Sequence, residues 1–558
     1  AFVLGQPAGM IQAEVSLDHS LDYAKAHMTA QVQLHDLSTP VVEVWLSKPL
    51  VALVGPTFTL NVEMSKKPQA ETLKIKGSSA LLSINSSFSY KDDHYELQNP
   101  AQMQLSLTKE GYDLLNRWLG KTEGPFSLNT PTTVNFSASK LFIPSKFAWS
   151  DLLCNAKLEV NNFSLREKQT QSVTTLKNLV VTLNKTSPKD PLRFNLEGTI
   201  NPGSITVGGE WDQAHTSITA ELDQFPSILL DSVARNFGHA NFPFTSLFGQ
   251  AVNIDLDTQI QNHSGPFSLS VHSPNTRAAL KGKITQGTLT LTEAVHAQIL
   301  MSKELSQWLI QDVNPLSISA IYANNPLTLE VSPEGFSLPL LPFEMSKFQL
   351  PKGRVELGQV TCHNDGNLSI TLGLLKSKQL TREKELKLWF APIDFSIQNG
   401  VANIERTEIL VADTFDIALW GKMDFVTDKV NMVLGLTPQT LHEAFGIKNL
   451  PESYMLHIPL KGTTSDVKIN TGKATTKIAL LLAWQQKDIA GGIIGGPAGA
   501  IVGELLNNLG TLPDKNSHSP QAKHPFPWEE NKPQTSEKKT GSLKGDEKPL
   551  KQLMKILR

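Results

Sequence analysis

Apolar and polar residues alternate with a period of two along most of the chain. Met28, Ala30, Val32 and Leu34 alternate with polar partners, and so do Phe58, Leu60, Val62 and Met64. The same holds for Leu192, Phe194 and Leu196, for Val252, Ile254 and Leu256, and for Phe267, Leu269 and Val271. Successive strand side chains point to opposite faces, so this rhythm predicts strands with one buried face. The clearest run is Phe415, Ile417, Leu419, Gly421, Met423 and Phe425; after Thr427-Asp428 it continues as Val430, Met432, Leu434 and Leu436. That reads as an antiparallel hairpin with one apolar face. Turn signals recur at Asn201-Pro202-Gly203, Asn324-Asn325-Pro326, Asp365-Gly366-Asn367 and Gln398-Asn399-Gly400. The chain is therefore expected to be mainly β.

Helical patterns are few and short. They are expected over residues 109–119, 227–237, 303–311 and 438–445, the last with Pro438 at the favoured first position. Three of these sites share one plan, a strand running into a capped helix. Thr108, Ser302 and Thr437 stand where a side-chain oxygen can accept a free backbone N–H. Extended chain then resumes at 125–136, 315–329 and 454–469. Repeats this widely spaced suggest a long sheet of similar modules rather than a tight solenoid.

The end of the chain changes character. Residues 477–484 are apolar and helix-like. Within 489–503, Gly491, Gly495, Gly499 and Gly503 recur every four residues. On a helix they form a small-residue stripe that lets another backbone approach closely, in a membrane or on the protein itself. The stretch is about 22 Å long as a helix, short of the roughly 30 Å hydrocarbon core. Residues 511–547 read as a disordered linker. In 548–558, Leu550, Leu553, Met554 and Leu557 share a helical face flanked by Lys551 and Lys555. This segment reads as a basic amphipathic tip for a membrane or partner surface, or as a solvated tail.

Composition narrows the classes. The 558 residues correspond to about three or four domains. They carry 51 Lys and Arg against 53 Asp and Glu, which argues against a nucleic-acid binder. The basic tail hides in this balance: from Lys515 onward there are ten Lys and Arg against five Asp and Glu. Cys154 and Cys362 exclude a disulfide scaffold or a cysteine zinc cluster; they could form one bridge or stand unpaired in strands. No G-x-S-x-G, C-x-x-C or H-E-x-x-H motif occurs. Gly120-Lys121-Thr122 lacks the first glycine of a phosphate loop, Leu115 standing in its place. No catalytic residues, metal or cofactor are expected, and the chain does not read as an enzyme.

Residues 387–473 resemble the C-terminal part of the AsmA-like family of Gram-negative envelope proteins. The likeness rests on a strand–Asn-Gly–strand unit (Phe395 to Ile404), a glycine followed by hydrophobic-Asp-hydrophobic (Gly421 to Phe425), and a hydrophobic-Pro-hydrophobic, Gly-Thr close (Ile458 to Lys468). The resemblance implies a long, curved, groove-like antiparallel sheet with a few interrupting helices and a helical, partly disordered C-terminus. It implies a periplasmic body anchored to the inner membrane by an N-terminal segment that does not appear in this sequence. It also implies an apolar trough that conveys phospholipid between the inner and outer membranes. The trough residues would be Phe395, Ile397, Phe415, Ile417, Leu419, Met423, Phe425, Val430, Met432 and Leu434. Ordinary protein core is the other reading of these ten. Partners would be phospholipid, membranes and other envelope proteins. Expected regions are 1–380 (β modules), 381–474 (AsmA-like), 475–510 (glycine-striped helix), 511–547 (linker) and 548–558 (basic helix). The alternative is an assembly factor that binds envelope proteins through sheet edges and helices.

Overall fold

A strand with one apolar and one polar face is satisfied by neighbours of the same pattern in matching register. The chain does this by pairing strands largely in sequence order. The computed structural model describes residues 2–3, 6–17, 27–67, 70–91, 93–118, 120, 124–144, 151–168, 170–212, 214–236, 242–310, 316, 318–319, 321–340, 342–375, 377, 379–489, 514 and 518–530. Among the described residues, thirty strands form one antiparallel sheet that does not close, and the helices are few. The chain divides into two compact units, Ala1–Pro274 with Lys281–Gln286, and Asn275–Leu280 with Gly287–Arg558. The boundary expected at 380 falls inside the second unit.

In the first unit, long strands run from Met10–Leu17 to Ser264–His272, each paired with the next. Connections alternate between the two ends of the sheet, and every helix sits at one of them. Thr39–Leu46 and Val51–Val54 connect Ser38 to Thr57. Lys109–Trp118 lies between Leu107 and Thr132. Ser227–Asn236 and Phe244–Phe248 lie between Pro226 and Ala251. In each case the residues flanking the helical insert are register partners, so the helix replaces a hairpin turn. These helices cover only their own end of the apolar face. Leu53, Leu107, Leu114, Leu128 and Leu165 form one buried cluster there, and Ile200, Phe225, Leu229, Phe248 and Val252 form another.

The repeated strand–cap–helix plan appears three times with one geometry. Thr108 Oγ1 accepts from Gly111 N–H at 3.2 Å, Ser302 Oγ from Leu305 N–H at 3.1 Å, and Thr437 Oγ1 from Thr440 N–H at 3.2 Å. The strands on either side then pair, through Leu107 with Thr132, Ile299 with Leu327, and Leu436 with Leu456.

The second unit is built differently. Val401–Val411 pairs with Ile393–Gln398 along its first half and with Glu385–Phe390 along its second, so the sheet forks there. The hairpin expected from the alternation is present as Phe415–Asp424 and Lys429–Leu436. Its apolar face is covered by Gly366–Leu374, Pro438–Phe445 and Thr471–Ile489, which contribute Leu368, Leu372, Leu441, Ala474, Ile478 and Leu481 to one large core.

Two departures from the sequence expectation stand out. A helix starts at Gly366, where Asp365-Gly366-Asn367 signalled a turn. Glycine and β-branched residues disfavour a helix there, but Leu368 and Leu372 bury almost completely and Asn367 Nδ2 donates to the Val467 carbonyl at 2.7 Å. Tertiary packing outweighs local propensity. The second departure is residues 518–530, expected to be a disordered linker, which dock on the second unit.

Candidate functional site

The ten trough residues inferred from the sequence are placed together, but under cover. Ile417 and Leu434 are fully buried, and Phe415, Leu419, Met423, Val430 and Met432 are each at most 8% exposed. Phe395, Ile397 and Phe425 are half-buried. The hairpin face is therefore packed protein core, beneath three helices. Gly491, Gly495, Gly499, Gly503, Leu550, Leu553, Met554, Leu557, Lys551 and Lys555 lie outside the described residues.

The open apolar surface is in the first unit. Register pairing aligns one row across fourteen strands. It begins Ile11, Leu34, Leu60, Gly77 and Ile84. It continues through Met103, Phe136, Leu158, Val181 and Leu196. It ends with Val207, Ala220, Leu256 and Leu269. A flanking row, Leu82, Leu105, Val134, Val160 and Leu179, widens the middle. From Leu34 to Leu269 every member of the first row is half-buried, and Ile11 is 44% exposed. None reaches the burial of Ile417. At about 4.8 Å per strand the row is about 62 Å long, roughly twice the thickness of a bilayer's hydrocarbon core.

The opposite face explains the thinly charged composition. The register line through Gln12, Gln33, Asn61, Lys76, Asn85 and Gln102 is polar at every strand. Hydrogen bonds between such side chains, for instance Gln31 Nε2 to Asn61 Oδ1 at 3.4 Å, run along it. Sequence reading found the alternation in several of these strands. It missed the row because a row needs the register between strands, which only chain-order pairing supplies.

A second cluster lies on the outward face of the second unit. Phe526 and Trp528 bury against Ala391 and Leu410. Lys523 Nζ reaches Asp394 at 2.5 Å and Glu405 at 2.6 Å, and Arg406 donates to the Pro520 carbonyl at 2.7 Å. Lys477 Nζ binds both carboxylate oxygens of Asp514 at 2.8 and 2.9 Å. The same face carries a buried acidic pair on adjacent strands. Glu408 accepts from Arg406 Nε at 2.6 Å, and burial pushes its carboxyl above the usual range. Asp416 is pushed up to about 7, chiefly by burial and then by Glu408. Among the described residues, Asp416 Oδ1 has no hydrogen-bond partner.

Other chemistry is sparse. Cys154 and Cys362 are buried, unpaired strand residues, and burial pushes the Cys362 thiol up to about 12. Among the described residues no group of His, Cys, Asp and Glu is arranged to hold a metal ion. No helix among them is long and apolar enough to cross a membrane. Neither a protein-family model, a curated protein nor a solved structure matches this chain.

Proposed function

We propose that the first unit binds phospholipid acyl chains along its open apolar row, and that the protein is a non-enzymatic carrier of phospholipid between the two membranes of a Gram-negative-type envelope. The observation that carries this reading is the unbroken row across fourteen strands, half-exposed along its length. A continuous row of partly exposed apolar side chains suits an apolar filling, and acyl chains follow a long, smooth, sequence-tolerant trough. The polar opposite face suits an aqueous compartment, and the AsmA-like resemblance supplies the periplasm as that compartment. Native mass spectrometry of the gently purified chain is expected to show bound phospholipid. Leu196→Asp together with Val207→Asp, placing charge in mid-row, is expected to cut the bound lipid about tenfold while the chain, destabilised by the paired charges, stays folded by circular dichroism. A wild-type chain free of lipid would refute the reading.

One observation favours the second reading, an assembly factor for envelope proteins. The strand Met10–Leu17 pairs on one side only among the described residues and is exposed along its whole length. Open edges of this kind accept an added strand.

A further inference from the structure

The tip of the helix Thr39–Leu46 presents three consecutive large apolar side chains to solvent. Val44 is 78% exposed, Trp45 68% and Leu46 58%. The helix is tied at its first residue and at the turn beyond its last. Thr39 Oγ1 donates to the Gly55 carbonyl at 2.5 Å. Glu43 accepts from Leu50 N–H, and from Val51 N–H at 2.7 Å, fixing the turn that follows. The neighbouring helix Val51–Val54 packs on Lys109–Trp118, so closely that a Cβ on Gly111 would stand 2.8 Å from the Ala52 carbonyl. That helix ends in exposed Arg117 and in Trp118, 48% exposed.

The position of this patch matters. The helix directly follows the strand Met28–Ser38, which carries Leu34, the second member of the apolar row. The preceding edge strand exposes Ile11, Val15 and Leu17 on the row's own face, at 44%, 58% and 63%. The exposed apolar groups thus line the row's first strand from Leu17 to Ile11, with the helix following at the Ile11 end. Charges on these helices and the turn after the first cancel: Lys48, Lys109 and Arg117 stand against Glu43, Glu110 and Asp113. A surface with Trp and Leu at its tip and no net charge is matched to a lipid interface rather than to a charged partner.

We propose that the Val44-Trp45-Leu46 tip inserts into the surface of a phospholipid bilayer and so sets the first end of the row against the lipid it takes up. This rests on the trough reading for its purpose, but docking and lipid binding are measured separately. The full chain is floated with phosphatidylcholine vesicles, whose zero net charge keeps basic segments from dominating. The wild-type chain is expected to float, at low and high salt alike. Trp45→Ser with Leu46→Ser is expected to reduce the floated fraction about tenfold, with unfolding and bound lipid after purification unchanged. Leu196→Asp with Val207→Asp is expected to float normally while losing its bound lipid. Equal flotation of the tip variant and the wild type would overturn the proposal. So would a wild-type dimer in light scattering that the tip variant dissociates, because the tip would then be a protein interface. Loss of bound lipid in both variants, with flotation intact, would overturn it too, because the tip would then belong to the trough.

Discussion

Leu434→Ala is expected to lower the unfolding free energy by about 3–5 kcal/mol, whereas Leu196→Ala in the open row is expected to cost roughly 1 kcal/mol. The residue and the truncation are the same, and the surroundings differ. Leu434 is fully buried between strand neighbours and covering helices, so its removal leaves a cavity that the packed core cannot fill. Leu196 is half-buried on a face that no helix among the described residues covers along mid-strand. Its removal forfeits part of a transfer energy and leaves no enclosed void. Denaturant unfolding of the two variants measures the difference directly. Equal losses would mean that the row is as closed as the hairpin core, and the account of an open face would fail.

Removing Arg406 is the other large perturbation. Arg406→Ala leaves Glu408, 1% exposed, without its ion-pair partner, and also frees the Pro520 carbonyl of the docked tail. Breaking a buried pair from one side costs about 3–5 kcal/mol. The cost is expected to be largest above neutral pH, where Glu408 and Asp416 must both carry charge. The sign follows from the direction of the shifts. Both folded-state values are raised, so the folded chain holds more protons than the unfolded chain near neutrality. The stability this gives is complete below the unfolded carboxylate values and is lost as pH rises through the folded ones, about 7 for Asp416. Asp416→Asn is expected to flatten that loss between about pH 5 and pH 8. Unfolding measured across this range checks both variants; a cost of Arg406→Ala that shrinks with rising pH would contradict the assignment.

The fold was legible to the extent that local pattern determines it. Period-two alternation located the strands, and the four expected helices fall where Thr108, Phe225-Pro226, Ser302 and Thr437 announced them. Gly366–Leu374 was not legible, because its stability comes from burial of Leu368 and Leu372 rather than from its own residues. The docking of 518–530 was hidden by a composition rich in Pro, Lys and Ser. Phe526 and Trp528, with Ala522 packed against them, anchor it as apolar residues, and its ion pairs reach partners more than a hundred residues away in sequence. The candidate trough was misplaced for a related reason. The strongest alternation, at Phe415–Phe425, marks the strand most deeply covered, since both a covered face and an open apolar face give the same period. Distinguishing them requires knowing where the helices go. In the first unit they replace turns at one end and, among the described residues, leave the middle of the face uncovered. In the second they lie across it.

The most direct test of that distinction is photocrosslinking in living cells, with a photoreactive residue placed in turn at Val207 and at Ile417. The account predicts a lipid adduct from Val207, in the open row, and none from Ile417, in the covered core. No adduct at Val207, or equal adducts at both positions, would contradict it.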